Sequence, residues 1–251
     1  MNKYLKSITN AQDEVDYNFK KNHLKTIINE GLQMILNVKS VEDFYSFCIN
    51  FIEKNPFSAP IYIEGSILEE NLDHFAKLER LNYPNDFLQW HKNYGHIPFR
   101  LGFVRINPTK TVLESLKYDD LLTAHNFINI TRDGGGNAYV YDLNGNQPQI
   151  KRVNHATCYS HSDILDELYS EYYDFWYDED TEEYHNPQKL DITDIYDKEN
   201  EFSINSVYIK QYLLKDEESI EIININTFLE FLILKAKEAL QEILEDIEND
   251  Q

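Results

Sequence analysis

Apolar positions recur at helical spacing through the early part of the chain and predict two helices over residues 19–54. Leu24, Ile27, Ile28, Gly31, Ile35 and Val38 share one face of the first. Ser40 opens the second, with Asp43 as its capping-box partner, and Val41, Phe44, Tyr45, Cys48, Phe51 and Ile52 form its apolar face. Pro56 and Pro60 end it. The pair reads as an N-terminal helical hairpin extension over 1–60, packed on a single larger domain over 61–251.

Ile61 to Gly65 reads as a short strand or an extended entry segment. A third helix is expected near 68–80, with Leu68, Leu72, Phe75, Ala76 and Leu78 inward. Pro84 suits the first turn of a fourth, where a missing N–H costs nothing. Tyr83, Phe87, Trp90 and Tyr94 repeat along that helix and Gly95 ends it.

The period then shortens. Phe99–Ile106 and Phe127–Leu143 favour strands. Asp133-Gly134-Gly135-Gly136-Asn137 separates two apolar runs, and its three glycines are expected to supply positive φ for a hairpin connection. Asn144-Gly145-Asn146 leads into a third strand at Gln149–Val153, so 127–153 is expected to be an antiparallel meander.

Ser160 to about Tyr177 reads as a helix with Ile164, Leu165, Leu168, Tyr169, Tyr172, Phe175 and Trp176 on one face. Residues 177–201 read as an acidic loop. Glu201–Tyr212 and Ser219–Ile225 form a candidate hairpin. A long closing helix starts at Thr227, which forms a capping box with Glu230. Grouped helices and grouped strands predict an α+β fold, a mostly antiparallel sheet flanked by helices, with an acidic insertion near 160–225.

Charge changes the functional picture. Among 251 residues, 23 Lys and Arg face 44 Asp and Glu, a formal charge of −21. Such a field repels nucleic acid, whose binding depends on cations displacing its counterions, and attracts basic proteins. The 18 Tyr and 14 Phe exceed the needs of a minimal core, so some rings are expected at a binding surface. Two cysteines, Cys48 and Cys158, make no disulfide framework. The opening residues carry no apolar run behind their positive charge, and no window reaches the roughly 18–20 apolar residues of a membrane helix. The expected setting is cytoplasmic, without membrane contact.

Two stretches resemble the SUKH superfamily, which includes bacterial immunity proteins and the yeast Smi/Knr cell-wall regulators. One runs from Glu69 to Arg80, then through Tyr83-Pro84-Asn85-Asp86-Phe87 to Lys92-Asn93-Tyr94-Gly95. The other is Ile130 to Leu143, with Asp133-Gly134-Gly135-Gly136-Asn137 and Asp142 at its heart. The resemblance spans roughly 67–155, with the closing helix from Asn226 also similar. It implies a sheet flanked by helices, structural roles for Pro84, Asp86, Asp133–Asn137 and Asp142, and the binding of a cognate toxin.

Candidate chemistry is weighed against that background. The glycine-rich turn lacks the Gly-Lys-Ser/Thr and following helix of a phosphate loop, so a structural hairpin turn is favoured, and Asp133 and Asp142 are expected to cap turns with their carboxylates. His155, Cys158 and His161 offer metal ligands or a Cys–His pair, but a fourth ligand and a supporting motif are wanting, and no metal or cofactor is expected. The sharper feature is acidic and aromatic: Asp174, Trp176, Tyr177, Asp178, Glu179, Asp180, Glu182, Glu183 and Tyr184 form a candidate partner-binding face. Carboxylates mixed with rings suit a basic surface such as a nuclease groove. The expected function is therefore non-enzymatic: an immunity protein that neutralises a basic, nuclease-type protein toxin. The alternative is a regulatory or scaffold interaction module of the Smi/Knr type. Oligomeric state is left open.

Overall fold

The computed structural model describes residues 2–58, 60–64, 72–81, 83–118, 122–123, 126–155, 177–178, 183–184 and 220–250. Helix α1 (Lys3–Thr9) opens on the Asn2 side chain, which accepts from the backbone N–H of Tyr4 and Leu5. Helix α2 (Glu14–Ile35) starts earlier than position 19 because Asp13 caps it, accepting from the Asp16 N–H, with Glu14 and Asp16 favourably placed in the first turn. Helix α3 (Val41–Lys54) begins at the expected cap, the Ser40 hydroxyl accepting from the Asp43 N–H.

Strand β1 (Ile61–Ile63) is followed by α4 (Leu72–Leu78) and α5 (Asn85–Tyr94). Of the inward set expected for α4, Leu78 is buried and Leu68 lies outside the described residues, whereas Leu72 is 79% exposed, Phe75 half-buried and Ala76 exposed, because this short helix lies on the surface against α5 and α6 (Thr109–Tyr118). Between them, β2 (Phe99–Leu101) and β3 (Val104–Ile106) complete an antiparallel sheet of order β1-β2-β3.

The expected meander is present. Strands β4 (Phe127–Arg132), β5 (Ala138–Asp142) and β6 (Gln149–Val153) pair antiparallel in sequence order, with a register shift between Asn129 and Thr131. Tyr177–Asp178 (β7) and Glu183–Tyr184 (β8) form a short antiparallel ribbon inside the segment expected to be a loop. Strand β9 (Ile220–Ile225) joins the meander by pairing with β6, giving the order β4-β5-β6-β9. The hairpin expected between 219–225 and 201–212 has its first arm outside the described residues, as is the helix expected from Ser160.

Helix α7 (Phe228–Asn249) closes the chain, and its Thr227–Glu230 capping box is formed on both sides. Its face of Phe228, Phe231, Leu232, Ala236, Leu240, Ile243 and Ile247 is buried against α2, α3, α5 and β2. One core cluster therefore runs from Leu5 to Ile247 and contains Trp90, Phe44, Phe87 and Phe99. Burying each such ring contributes about 1.5–3 kcal/mol. Tyr139 and Tyr141 of β5 point into this core, while Ala138 and Val140 join a second cluster with Phe127 and Val153 on the opposite face. The result is an α+β architecture of antiparallel sheets and helices. Among the described residues, no helix is long and apolar enough to cross a membrane.

Candidate functional site

The glycine-rich turn is organised by one carboxylate. Asp133 Oδ1 accepts from the backbone N–H of Gly135 at 2.9 Å and of Asn137 at 3.0 Å. The Asn137 side-chain amide donates to both Asp133 oxygens, at 3.1 and 2.9 Å. Arg152, across on β6, donates from Nε at 3.3 Å and Nη2 at 3.2 Å to Oδ2. Burial pushes the Asp133 carboxyl up, but the bonds from Asn137, Arg152 and Gly135 outweigh it, and the group ionises below the ordinary aspartate range.

These bonds decide against a phosphate cradle. The N–H groups of Gly135 and Asn137 are spent on Asp133 Oδ1, and that of Gly136 on the Asp133 carbonyl at 3.1 Å. A strand follows the turn. The expectation of three positive φ values is also corrected. Only Gly136 has one, at +87°, because side-chain bonds to Asp133 shape the rest of the turn without left-handed backbone.

The turn is one wall of a groove. The second wall is the tip of the β2–β3 hairpin, where Gly102 (φ +57°) lies so close to α7 that a Cβ there would meet Ala239 Cβ at 2.9 Å. The next residue, Phe103, is 62% exposed, and a Cβ on Gly134 would sit 3.7 Å from its ring. The third wall is α7 itself. The groove is open to solvent, measures about 330 Å3 and is lined by Phe103, Asp133, Tyr139, Arg152, Glu238 and Glu242, among others.

Lys235 anchors the groove floor. It is only 7% exposed. Its Nζ donates to Glu238 Oε2 at 2.9 Å and stands 4.7 Å from the centroid of the Tyr139 ring. Burial disfavours its charge, yet Glu238 and Tyr139 more than compensate, so the ammonium is held above its ordinary range. Glu242, one turn beyond Glu238, has its carboxyl pushed up by burial and by the nearby Asp246 and Glu245.

The remaining motif positions lie elsewhere. Asp86 Oδ2 accepts from the backbone N–H of Leu229 at 3.0 Å, so the turn at Pro84 and Asp86 holds the start of α7. Asp142 accepts from Lys151 Nζ at 2.6 Å and from the Asn144 N–H at 2.9 Å, closing the β5–β6 turn. The motif residues therefore do not form one site: Asp133, Gly134, Gly135 and Asn137 line the groove, Gly136 belongs to the same turn, and Pro84, Asp86 and Asp142 support the scaffold.

Of the acidic and aromatic face, the backbone register pairs Tyr177 with Tyr184 and Asp178 with Glu183. Asp174, Trp176, Glu179, Asp180 and Glu182 lie outside the described residues, as do Cys158 and His161. His155 is hydrogen-bonded to Asn137, its backbone N–H donating to Oδ1 at 2.8 Å. Cys48 is buried in the core, which pushes its thiol well up.

Sequence reasoning missed Phe103, Lys235, Glu238 and Glu242. Two signals pointed to them: a lysine interrupting the apolar stripe of α7, and a phenylalanine directly after a glycine between two short strands. No protein-family model, curated protein or solved structure matches this chain.

Proposed function

We propose that this chain is a protein-binding domain of the SUKH immunity type, which captures a basic, nuclease-type toxin domain in the cytoplasm and neutralises it without turnover. The observation that carries the reading is the β7–β8 ribbon, whose register sets tyrosine beside tyrosine and acid beside acid in a chain of formal charge −21. A field of that sign draws in a basic surface and speeds encounter, while tyrosines serve as anchors once water is expelled. The groove supports the same reading. Asp133 with Arg152 and Lys235 with Glu238 hold one another in fixed geometry, as suits a rigid docking surface.

The test is co-expression with the product of the neighbouring gene, scored by restored growth, with association kinetics then measured on the purified pair. Reversing Asp178, Glu179 and Asp180 to lysine is expected to slow association about tenfold or more at low salt and much less at high salt. An unchanged association rate would remove the ribbon from the interface. Failure to restore growth would remove the immunity role and leave a regulatory or scaffold module.

A further inference from the structure

We infer that the groove between the β2–β3 tip, the Asp133–Asn137 turn and α7 receives a single arginine or lysine side chain from a loop of a partner protein. The inference rests on the protein-binding reading above and adds a specificity pocket to it.

Each wall contributes a different requirement. Phe103 presents a ring that is 62% exposed at the groove mouth, a surface on which the alkyl stem of a long cationic side chain packs. The two cations in the lining are neutralised from within: Arg152 by Asp133 and Glu221, and Lys235 by Glu238. Glu242 is different. It lines the same groove with its side chain exposed, and among the described residues no lysine, arginine or histidine forms an ion pair with it. Partial desolvation, then the nearby Asp246 and Glu245, raise its carboxyl above the ordinary range, and a cation beside it favours the charged form.

Size and sign select the occupant. About 330 Å3 is at the low end for a ligand cleft and admits a side chain rather than a domain face. A phosphate or carboxylate ligand would meet an unmatched carboxylate. A purely apolar side chain would cover Glu242 without a partner, which costs free energy. A guanidinium or ammonium on an extended stem satisfies both the ring and the acid.

The probe is a set of pentapeptides, Gly-Gly-X-Gly-Gly with blocked ends, where X is arginine, lysine, norleucine or glutamate. They are titrated into the full-length protein while backbone amide resonances are tracked. Arginine and lysine peptides are expected to shift Phe103, Gly134, Gly135 and Glu242 saturably, norleucine less, and glutamate not at all. Glu242→Gln and Phe103→Ala, both at accessible positions, are each expected to weaken binding about fivefold, whereas the exposed α2 control Glu30→Gln leaves it unchanged. Shifts spread evenly over the acidic surface, or equal losses in Glu242→Gln and Glu30→Gln, would overturn the pocket. The arms also separate the two readings. If the pocket fails while lysines at Asp178, Glu179 and Asp180 still slow toxin association, the protein-binding reading stands and the groove alone falls.

Discussion

The carboxylate of Asp86 accepts a hydrogen bond from the backbone N–H of Leu229, across 143 positions of chain. Leu229 lies in the first turn of α7, where N–H groups have no partner within the helix. The Thr227–Glu230 box satisfies others nearby, and Asp86 adds a contact from a different part of the fold. Asp86→Ala is therefore expected to destabilise the protein by about 1–2 kcal/mol, read as a lower urea midpoint with an unchanged slope. Asp86→Asn, which keeps an acceptor, should recover most of that loss. Equal losses in the two variants would show that the cap is not the source.

Asp133 and Arg152 should behave asymmetrically. Asp133→Ala removes the acceptor on which Gly135, Asn137 and Arg152 all converge, with an expected loss of about 2–3 kcal/mol. Arg152 is a third exposed along its side chain and also touches Glu221, so Arg152→Ala should cost about 1 kcal/mol. A double-mutant cycle on this pair measures the coupling directly, and a coupling near zero would contradict the geometry.

The glycine run makes a prediction that separates its members. Gly136, at φ +87°, is expected to lose about 1–2 kcal/mol on replacement by alanine. Gly134 lacks the positive φ, and its added methyl would meet Phe103 at an ordinary 3.7 Å, so Gly134→Ala should be nearly neutral. Thermal melts of the two variants side by side provide the check.

His91 is fully buried among Phe87, Phe228 and Thr109, with Nδ1 3.0 Å from the Thr109 hydroxyl. Burial pushes its folded-state pKa down to about 3 from an ordinary 6.5. The unfolded chain therefore takes up a proton as pH falls below about 6.5, and the folded chain refuses it until about 3. Stability contributed by the neutral ring is complete above that window and lost on acidification, at up to about 1.4 kcal/mol per pH unit. Asp133 and Asp142, whose folded pKa values are lowered, act in the same direction but only as pH falls through the aspartate range. The urea midpoint should fall between pH values of about 6.5 and 5, and His91→Gln should flatten that slope.

What could be read in advance was local. Ser40 beside Asp43 and Thr227 beside Glu230 announce helix starts because the bonding groups lie three residues apart. The meander over 127–153 was legible because alternating apolar residues and turn residues are neighbours in sequence. Two misses were local, the Asp13 cap that starts α2 early and the Asp133 bonds that shape the glycine turn, and the others were long-range. Nothing near Ile220 signals that its partner is Val153, and nothing near Leu72 reveals that α4 lies on the surface. The groove was hidden for the same reason: Phe103, Asp133 and Glu242 meet only after a hairpin tip and a strand turn pack on a helix from the end of the chain. Asp133 itself was legible as a turn cap, but its bond to Arg152 depends on strand register.

The pairing of Val153 with Ile220 sets the two ends of the intervening chain on adjacent strands, roughly 5 Å apart. Among the described residues between them, β7 and β8 pair with each other and not with this sheet. That stretch includes the Tyr177–Tyr184 ribbon. The register of β4, β5 and β6 rests on pairings made within residues 127–153, so that part of the sheet keeps its alignment through bonds formed before the chain reaches the span.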